Sequence, residues 1–146
     1  VWGGISSRGR TVLVVVDGTL TGIKYSDEII RPHVLPFVQQ RNATRQQDNA
    51  RPHVAWVVTD FLIQNNVNVL PWPAMSPDML PIEHVWDEMQ RHLRCLQNQP
   101  LTLPDLSRAL VRIWNGIPQA FFSTLVASMR RRCQACIDSN GGHTRY

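Results

Sequence analysis

The spacing of apolar residues divides the chain into a β-rich front and a helical rear. Val1–Ser6 and Thr11–Asp17 carry β-branched residues on either side of a short turn rich in Ser and Gly, Ser7–Arg10, which predicts a hairpin. Tyr25 to Gln40 then sets Ile29, Ile30, Val34, Phe37 and Val38 at helical spacing, with Pro32 and Pro36 expected to bend or interrupt the helix. Arg45–Asp48 reads as a brief polar strand. Val54–Ile63 reads as an amphipathic helix with Val54, Val57, Val58, Phe61 and Leu62 on one stripe. Asn65-Asn66 stops that helix, and Val67–Leu70 is a short apolar strand running into Pro71-Trp72-Pro73. The strongest helical pattern starts at Pro81, where Ile82, Val85, Trp86, Met89, Leu93 and Leu96 recur at three- and four-residue steps. Two more helices follow: Pro104–Trp114, opened by a Thr102 cap, and Gln119–Ile137, closed by Asn140-Gly141-Gly142. This order predicts an α/β chain with a mixed sheet flanked by helices and a helical segment at the C-terminal end. Residues 1–96 form the core part and residues 97–146 the helical part of one domain, with no repeat or linker between them.

Composition narrows the class. At 146 residues, with 43% hydrophobic and 18% charged residues, the chain is long enough for one core and too apolar for wholesale disorder. Its longest apolar run, Val12 to Val16, is far short of the roughly 20 residues that span a bilayer, so neither a transmembrane helix nor a membrane partner is expected. The first residue is Val, not Met, and the short basic opening lacks a secretory core, so truncation at the front is expected. Three cysteines, Cys95, Cys133 and Cys136, are too few and too uneven for a disulfide framework, which points to a reducing compartment, cytosol or nucleus. Charge divides unevenly: residues 89–146 carry eight Arg against two Asp, whereas residues 1–88 carry seven basic and nine acidic residues. Fourteen of the fifteen basic residues are Arg, whose planar fork pairs with phosphate oxygens. Charge alone fits a nucleic-acid partner or a surface that keeps the domain soluble.

Two carboxylates stand out by position. Asp48 ends a predicted strand, Glu83 lies in the first turn of the strongest helix, and 34 residues separate them. Such a pair could hold hard cations such as Mg²⁺, which favour oxygen ligands, and two cations could serve phosphodiester chemistry. Each residue also has an ordinary role: a Glu near a helix start is favoured by the macrodipole, and an Asp beside Asn49 suits a turn.

The surrounding text decides between these readings. Gln46-Gln47-Asp48-Asn49-Ala50-Arg51-Pro52-His53, Trp72-Pro73-Ala74, Ser76-Pro77-Asp78 and Pro81-Ile82-Glu83-His84-Val85-Trp86-Asp87 closely resemble the Tc/mariner superfamily of transposases. Val1-Trp2-Gly3-Gly4-Ile5-Ser6, Arg31-Pro32-His33-Val34 and Gly141-Gly142-His143-Thr144 extend the resemblance over essentially the whole chain. It implies an RNase H-like fold and an enzyme of the DDE type that cuts DNA at transposon ends and joins the freed 3′ ends to target DNA with Mg²⁺ or Mn²⁺. Asp48 and Glu83 would correspond to the second and third catalytic acids, both of them metal ligands. The family's first Asp sits on the central strand ahead of the Trp-Gly-Gly segment, at which this chain begins; that strand and the DNA-recognising helix-turn-helix region are expected to be lacking. The chain is therefore expected to be inactive alone, with a noncatalytic DNA-binding or protein-interaction module as the alternative and an RNase H-like nuclease as a weaker third reading. The resemblance implies DNA as partner and the nucleus as location, and it leaves a homo-oligomer open. Leu80 departs from the Asn common in relatives and removes an amide near the active-site helix.

The remaining candidates weigh less. Asp17 reads as a turn residue before Gly18, because its strand would lie about 10 Å from the one carrying the first acid. With the central strand gone, the hairpin is expected to close directly onto the Asp48 strand. Arg108, Arg112, Arg130, Arg131 and Arg132 are candidates for contacts to DNA phosphates. Asp87 shares the face of Glu83 and is the best substitute carboxylate, otherwise an ion-pair partner of Arg91, while His84 is expected at the surface. Cys133 and Cys136 read as ordinary thiols, and Trp72, Trp86 and Trp114 as packing residues.

Overall fold

The β-branched front forms a hairpin, shorter and less regular than its sequence pattern suggests. In a computed structural model, which describes residues 1–73 and 76–142, β1 (Ile5–Ser6) pairs antiparallel with β2 (Gly9–Arg10), Ile5 facing Arg10 and Ser6 facing Gly9. The turn is thus Ser7-Arg8, and Gly9-Arg10 belongs to the second strand. The Thr11 N–H donates to the Gly4 carbonyl at 2.8 Å in the same register, whereas Trp2 and Val14 exchange both backbone bonds one register further on. The second strand therefore holds one extra residue between these pairs, a bulge that bends it and ends the regular ladder. Ala74 of the Trp-Pro-Ala motif and His143-Thr144 of the closing motif lie outside the described residues.

The chain folds as two compact units: one comprises Val1–Gly4 and Thr11–Ser76, the other Ile5–Arg10 and the chain from Pro77 onward. In the first unit, α1 (Gly22–Tyr25), a π-helical stretch (Ser26–Val34) and α2 (Leu35–Arg41) follow one another without a break. Thr21 caps the start, its hydroxyl accepting from the Lys24 N–H at 3.2 Å. The interruption expected at Pro32 takes the form of a change in winding: the chain stays helical, but α gives way to π over the segment that holds it. Proline lacks an N–H and its ring crowds the carbonyl one turn back; the wider π winding gives the ring room where Pro32 sits. The helix ends at Asn42, in the left-handed region at φ 46°.

The third helix, α3 (Trp56–Gln64), lays Val58 and Leu62 against Tyr25, Ile29, Ile30, Val34 and Val67 to make this unit's core; Val57 and Phe61 pack at its margin and Val54 is exposed. Close approach of α1 and α3 depends on Gly22, where an added Cβ would lie 2.4 Å from that of Ala55. The predicted strands Arg45–Asp48 and Val67–Leu70 shrink to one parallel bridge, Arg45 to Val69, made by bonds of 2.8 Å from the Arg45 N–H to Asn68 and from the Leu70 N–H to Arg45. The hairpin does not close onto the Asp48 segment: among the described residues β1 and β2 pair with each other. Residues 46–49, Gln-Gln-Asp-Asn, have little β-propensity and no apolar face to template a longer ladder.

In the second unit, a 3₁₀ turn (Pro77–Met79) leads into α4 (Pro81–Arg94), followed by α5 (Leu103–Gly116), α6 (Gln119–Ala127) and α7 (Met129–Asp138). Thr102 caps α5 as expected, its hydroxyl accepting from the Asp105 N–H at 3.2 Å. The core is aromatic. Trp114 and Phe122 are fully buried, with Val85 and Met89, and the Trp114 ring stacks on Trp86 at 5.9 Å and meets Phe122 at 5.5 Å. Arg10 lies over Phe122 at 5.0 Å and donates to the Ile117 and Asn115 carbonyls, satisfying acceptors at the end of α5. The single helix expected over Gln119–Ile137 is two, broken at Ser128, whose hydroxyl donates to Leu125 at 2.7 Å and accepts from Arg132 at 3.0 Å. Asn140 and Gly141, both at positive φ, end α7 as the sequence suggests.

Candidate functional site

Asp48 follows the Arg45 bridge in an irregular segment, and its side chain is 49% exposed. Two N–H donors are directed at one of its oxygens: the His53 ring through Nδ1 and the Ala50 backbone at 3.2 Å, both to Oδ1. Behind it runs a buried polar chain. The His53 ring lies 4.4 Å from that of Tyr25, and the fully buried Tyr25 hydroxyl accepts a hydrogen bond from Arg45, itself only 8% exposed. Burial raises the Tyr25 pKa, against the pull of Arg45; burial also lowers those of Arg45 and His53, with Asp48 opposing the shift in each. Asn49 donates to the Trp72 carbonyl at 2.9 Å, tying the segment to the Pro-Trp-Pro stretch.

Glu83 is held differently. It stands in the first turn of α4, half-buried, with its N–H donating to the Leu80 carbonyl at 3.1 Å. Leu80 occupies the N-cap and supplies no side-chain hydrogen bond. A carboxylate here sits in the favourable field of the helix start. His84 is half-buried, not fully exposed; burial and the charge of Arg132 lower its pKa, while Asp87 opposes them. Asp87 is exposed, and Arg91 pairs not with it but with Glu88, at 3.0 and 2.5 Å, which pushes the Glu88 pKa down to about 2.

The arginines separate by burial. Arg108, Arg112, Arg130 and Arg131 are exposed, and the first two line an open groove of about 520 Å³ along α5 with Ser107, Val111 and Asn115. Arg132 turns inward at 3% exposed and donates to Ser128, which corrects its place in the basic run: a guanidinium so covered does not present itself to a phosphate. Asp17 sits exposed before Gly18 at φ +63°, in keeping with a turn. Cys95, Cys133 and Cys136 are free thiols. Trp114 is core and Trp86 stacks on it, whereas Trp72 is half-buried with its indole N–H unpartnered.

The donor chemistry suits a hard divalent cation. Asp48 offers a half-exposed carboxylate whose Oδ1 alone carries the hydrogen bonds described, and Glu83 offers a second carboxylate. Among the described residues no three His, Cys, Asp or Glu cluster as a ready-made site. Carboxylate oxygens are donors that Mg²⁺ favours, whereas structural zinc sites draw mainly on nitrogen and sulfur.

Comparison with known proteins places the chain. It is 35% identical over 151 residues to the Tcb1 transposase of Caenorhabditis briggsae and 34% identical over 151 residues to the Tc1 transposase of Caenorhabditis elegans, in both cases across 100% of the chain. Across its whole length the chain is homologous to Tc1-type transposases. It spans about half the length of these relatives, 54% of each. The Mos1 transposase catalytic domain, solved with raltegravir and Mg, matches 88% of this chain and 67% of its own at a TM-score of 0.75 and 24% identity. That likeness shows the fold: RNase H-like, mixed α/β, with the sheet reduced here to a hairpin and isolated bridges. No family model matches the sequence.

The sequence singles out Asp48 and Glu83 but not the side chains that contact Asp48. His53 lies in the motif that carries the resemblance, while Tyr25 and Arg45 fall in a helical and a strand pattern that do not signal the contact. The available signal was the five-residue step from Asp48 to His53 across Pro52, short enough for a loop to fold back on itself. Among the described residues no helix is long and apolar enough to cross a membrane.

Proposed function

We propose that the chain forms part of a DDE-type DNA transposase catalytic domain acting on nuclear DNA, with Asp48 and Glu83 as ligands for Mg²⁺ or Mn²⁺. The observation that carries this reading is the Asp48 carboxylate, fixed through Oδ1 by His53 and Ala50 while half its surface faces solvent. Similarity to Tc1-type transposases across all of this chain, about half of theirs, supports it. When bound, the divalent cation supplies Lewis-acid polarisation and charge neutralisation at a phosphodiester. Asp48 keeps its outward oxygen available because its other oxygen is committed to local donors. Glu83 is presented from the first turn of α4. Arg108, Arg112, Arg130 and Arg131 hold DNA through its phosphates, and binding should weaken steeply with salt.

Within residues 1–146 these two positions match family acids, and two carboxylates hold paired cations poorly; the 146-residue polypeptide by itself should bind metal weakly and not turn over DNA. Calorimetric titration of Mn²⁺ into the chain tests the assignment. Asp48→Asn and Glu83→Gln should each reduce affinity, and unchanged binding in both would overturn it. A noncatalytic DNA-binding role gains support from the exposed arginines. It predicts DNA affinity indifferent to both carboxylate substitutions and to metal.

A further inference from the structure

We infer that His53 is a positioning residue for the Asp48 carboxylate, selecting which of its two oxygens is offered to a metal ion. The inference rests on the metal-ligand reading of Asp48. An ionised carboxylate only accepts hydrogen bonds, so the contact between Nδ1 and Oδ1 requires the proton on Nδ1. The Ala50 N–H converges on the same oxygen at 3.2 Å. With both donors on Oδ1, the carboxylate is locked in rotation and Oδ2 is the oxygen left for a ligand.

The ring that does this is itself immobilised. Its side chain is 18% exposed against 49% for Asp48, its face rests on Tyr25 at 4.4 Å, and its backbone carbonyl accepts from Gln47 at 3.4 Å. Tyr25 is in turn fixed by the core and by Arg45. The order transmitted to the carboxylate thus begins at the centre of the first unit and passes through two rings to an exposed loop. Outer partners of this kind typically govern metal affinity about 10- to 100-fold.

The test compares Mn²⁺ affinity of the 146-residue chain and three variants by calorimetry, with thermal melting as a fold control. His53→Phe keeps a ring against Tyr25 but deletes the donor, and should weaken binding about tenfold. His53→Asn places an amide donor near the Nδ1 position and should recover most of that loss, which a merely structural role of the ring would not permit. Asp48→Asn separates the two claims. If it leaves affinity unchanged, the metal-ligand reading fails; if it weakens binding while His53→Phe does not, the positioning role fails and the ligand reading stands. Equal loss in His53→Phe and His53→Asn with intact melting also overturns the role. Nitrogen-15 NMR of the unsubstituted chain tests the claim without any variant: His53 should carry its proton on Nδ1, and protonation on Nε2 alone would refute the hydrogen bond.

Discussion

The two units hold their carboxylates by opposite means. In the first, Asp48 lies on an irregular loop and owes its orientation to side chains: His53 beside it, Tyr25 behind His53, and Arg45 buried against Tyr25. In the second, Glu83 stands in the first turn of a regular helix, α4, in a unit whose core is Trp114, Phe122, Val85 and Met89. Each unit buries an arginine, Arg45 in the first and Arg132 in the second. A carboxylate on a loop depends on specific contacts for its backbone course, whereas a helix supplies that course through its own hydrogen bonds. Substitutions deep in the first unit should therefore reach the chemistry of Asp48, while those deep in the second should cost stability first.

The largest effect is expected from Trp114→Ala, which empties the centre of the aromatic core and should destabilise the second unit by about 3–5 kcal/mol in denaturant unfolding. Loss of less than about 1 kcal/mol would mean that this core is not what holds α4. Next comes Tyr25→Phe, which preserves shape but leaves the buried Arg45 without its acceptor. It should cost about 2–3 kcal/mol and lower Mn²⁺ affinity as well, a pairing that distinguishes the first unit from the second. Stability loss without any change in metal binding would break the proposed link from core to carboxylate. Thr102→Ala removes the α5 cap and should cost about 1 kcal/mol with Mn²⁺ binding untouched.

The smallest effect concerns Glu88. Its pKa falls from an ordinary 4.5 to about 2 because Arg91 and His92 bond to it, so the folded chain favours the ionised form. That contribution is present above about pH 4.5 and is lost as pH falls toward about 2, where the folded carboxylate also protonates. The Arg91 and His92 partners are well exposed, so salt should shrink the effect. Glu88→Gln should flatten this acid limb of the melting curve, and an unaltered limb would assign it to other carboxylates.

The helices were legible in the sequence because their cause is local. The three- and four-residue rhythm from Pro81, the Thr102 cap and the Asn140-Gly141 stop each act within a turn or two. The strands were less so, since a ladder exists only where a partner supplies one, and Arg45 finds that partner for a single bridge. Pro32 marked a change in the helix, but its form, a π winding, is not written in apolar spacing. The break at Ser128 and the burial of Arg132 are two sides of one contact, hydroxyl to guanidinium at 3.0 Å, hidden inside what reads as a basic run. For the site, the carboxylates were visible through resemblance, but the support of Asp48 was not. His53 acts through a loop that folds back over five residues, and Tyr25 reaches it from a helix more than twenty residues earlier.

Paramagnetic NMR tests the central claim most directly. One Mn²⁺ ion added to the isotope-labelled chain should broaden the amide signals around Asp48 and those around Glu83 together, at the same low occupancy, and Asp48→Asn should diminish both effects. Broadening confined to one of the two segments, or unaffected by that substitution, would contradict a shared metal-binding role for these carboxylates.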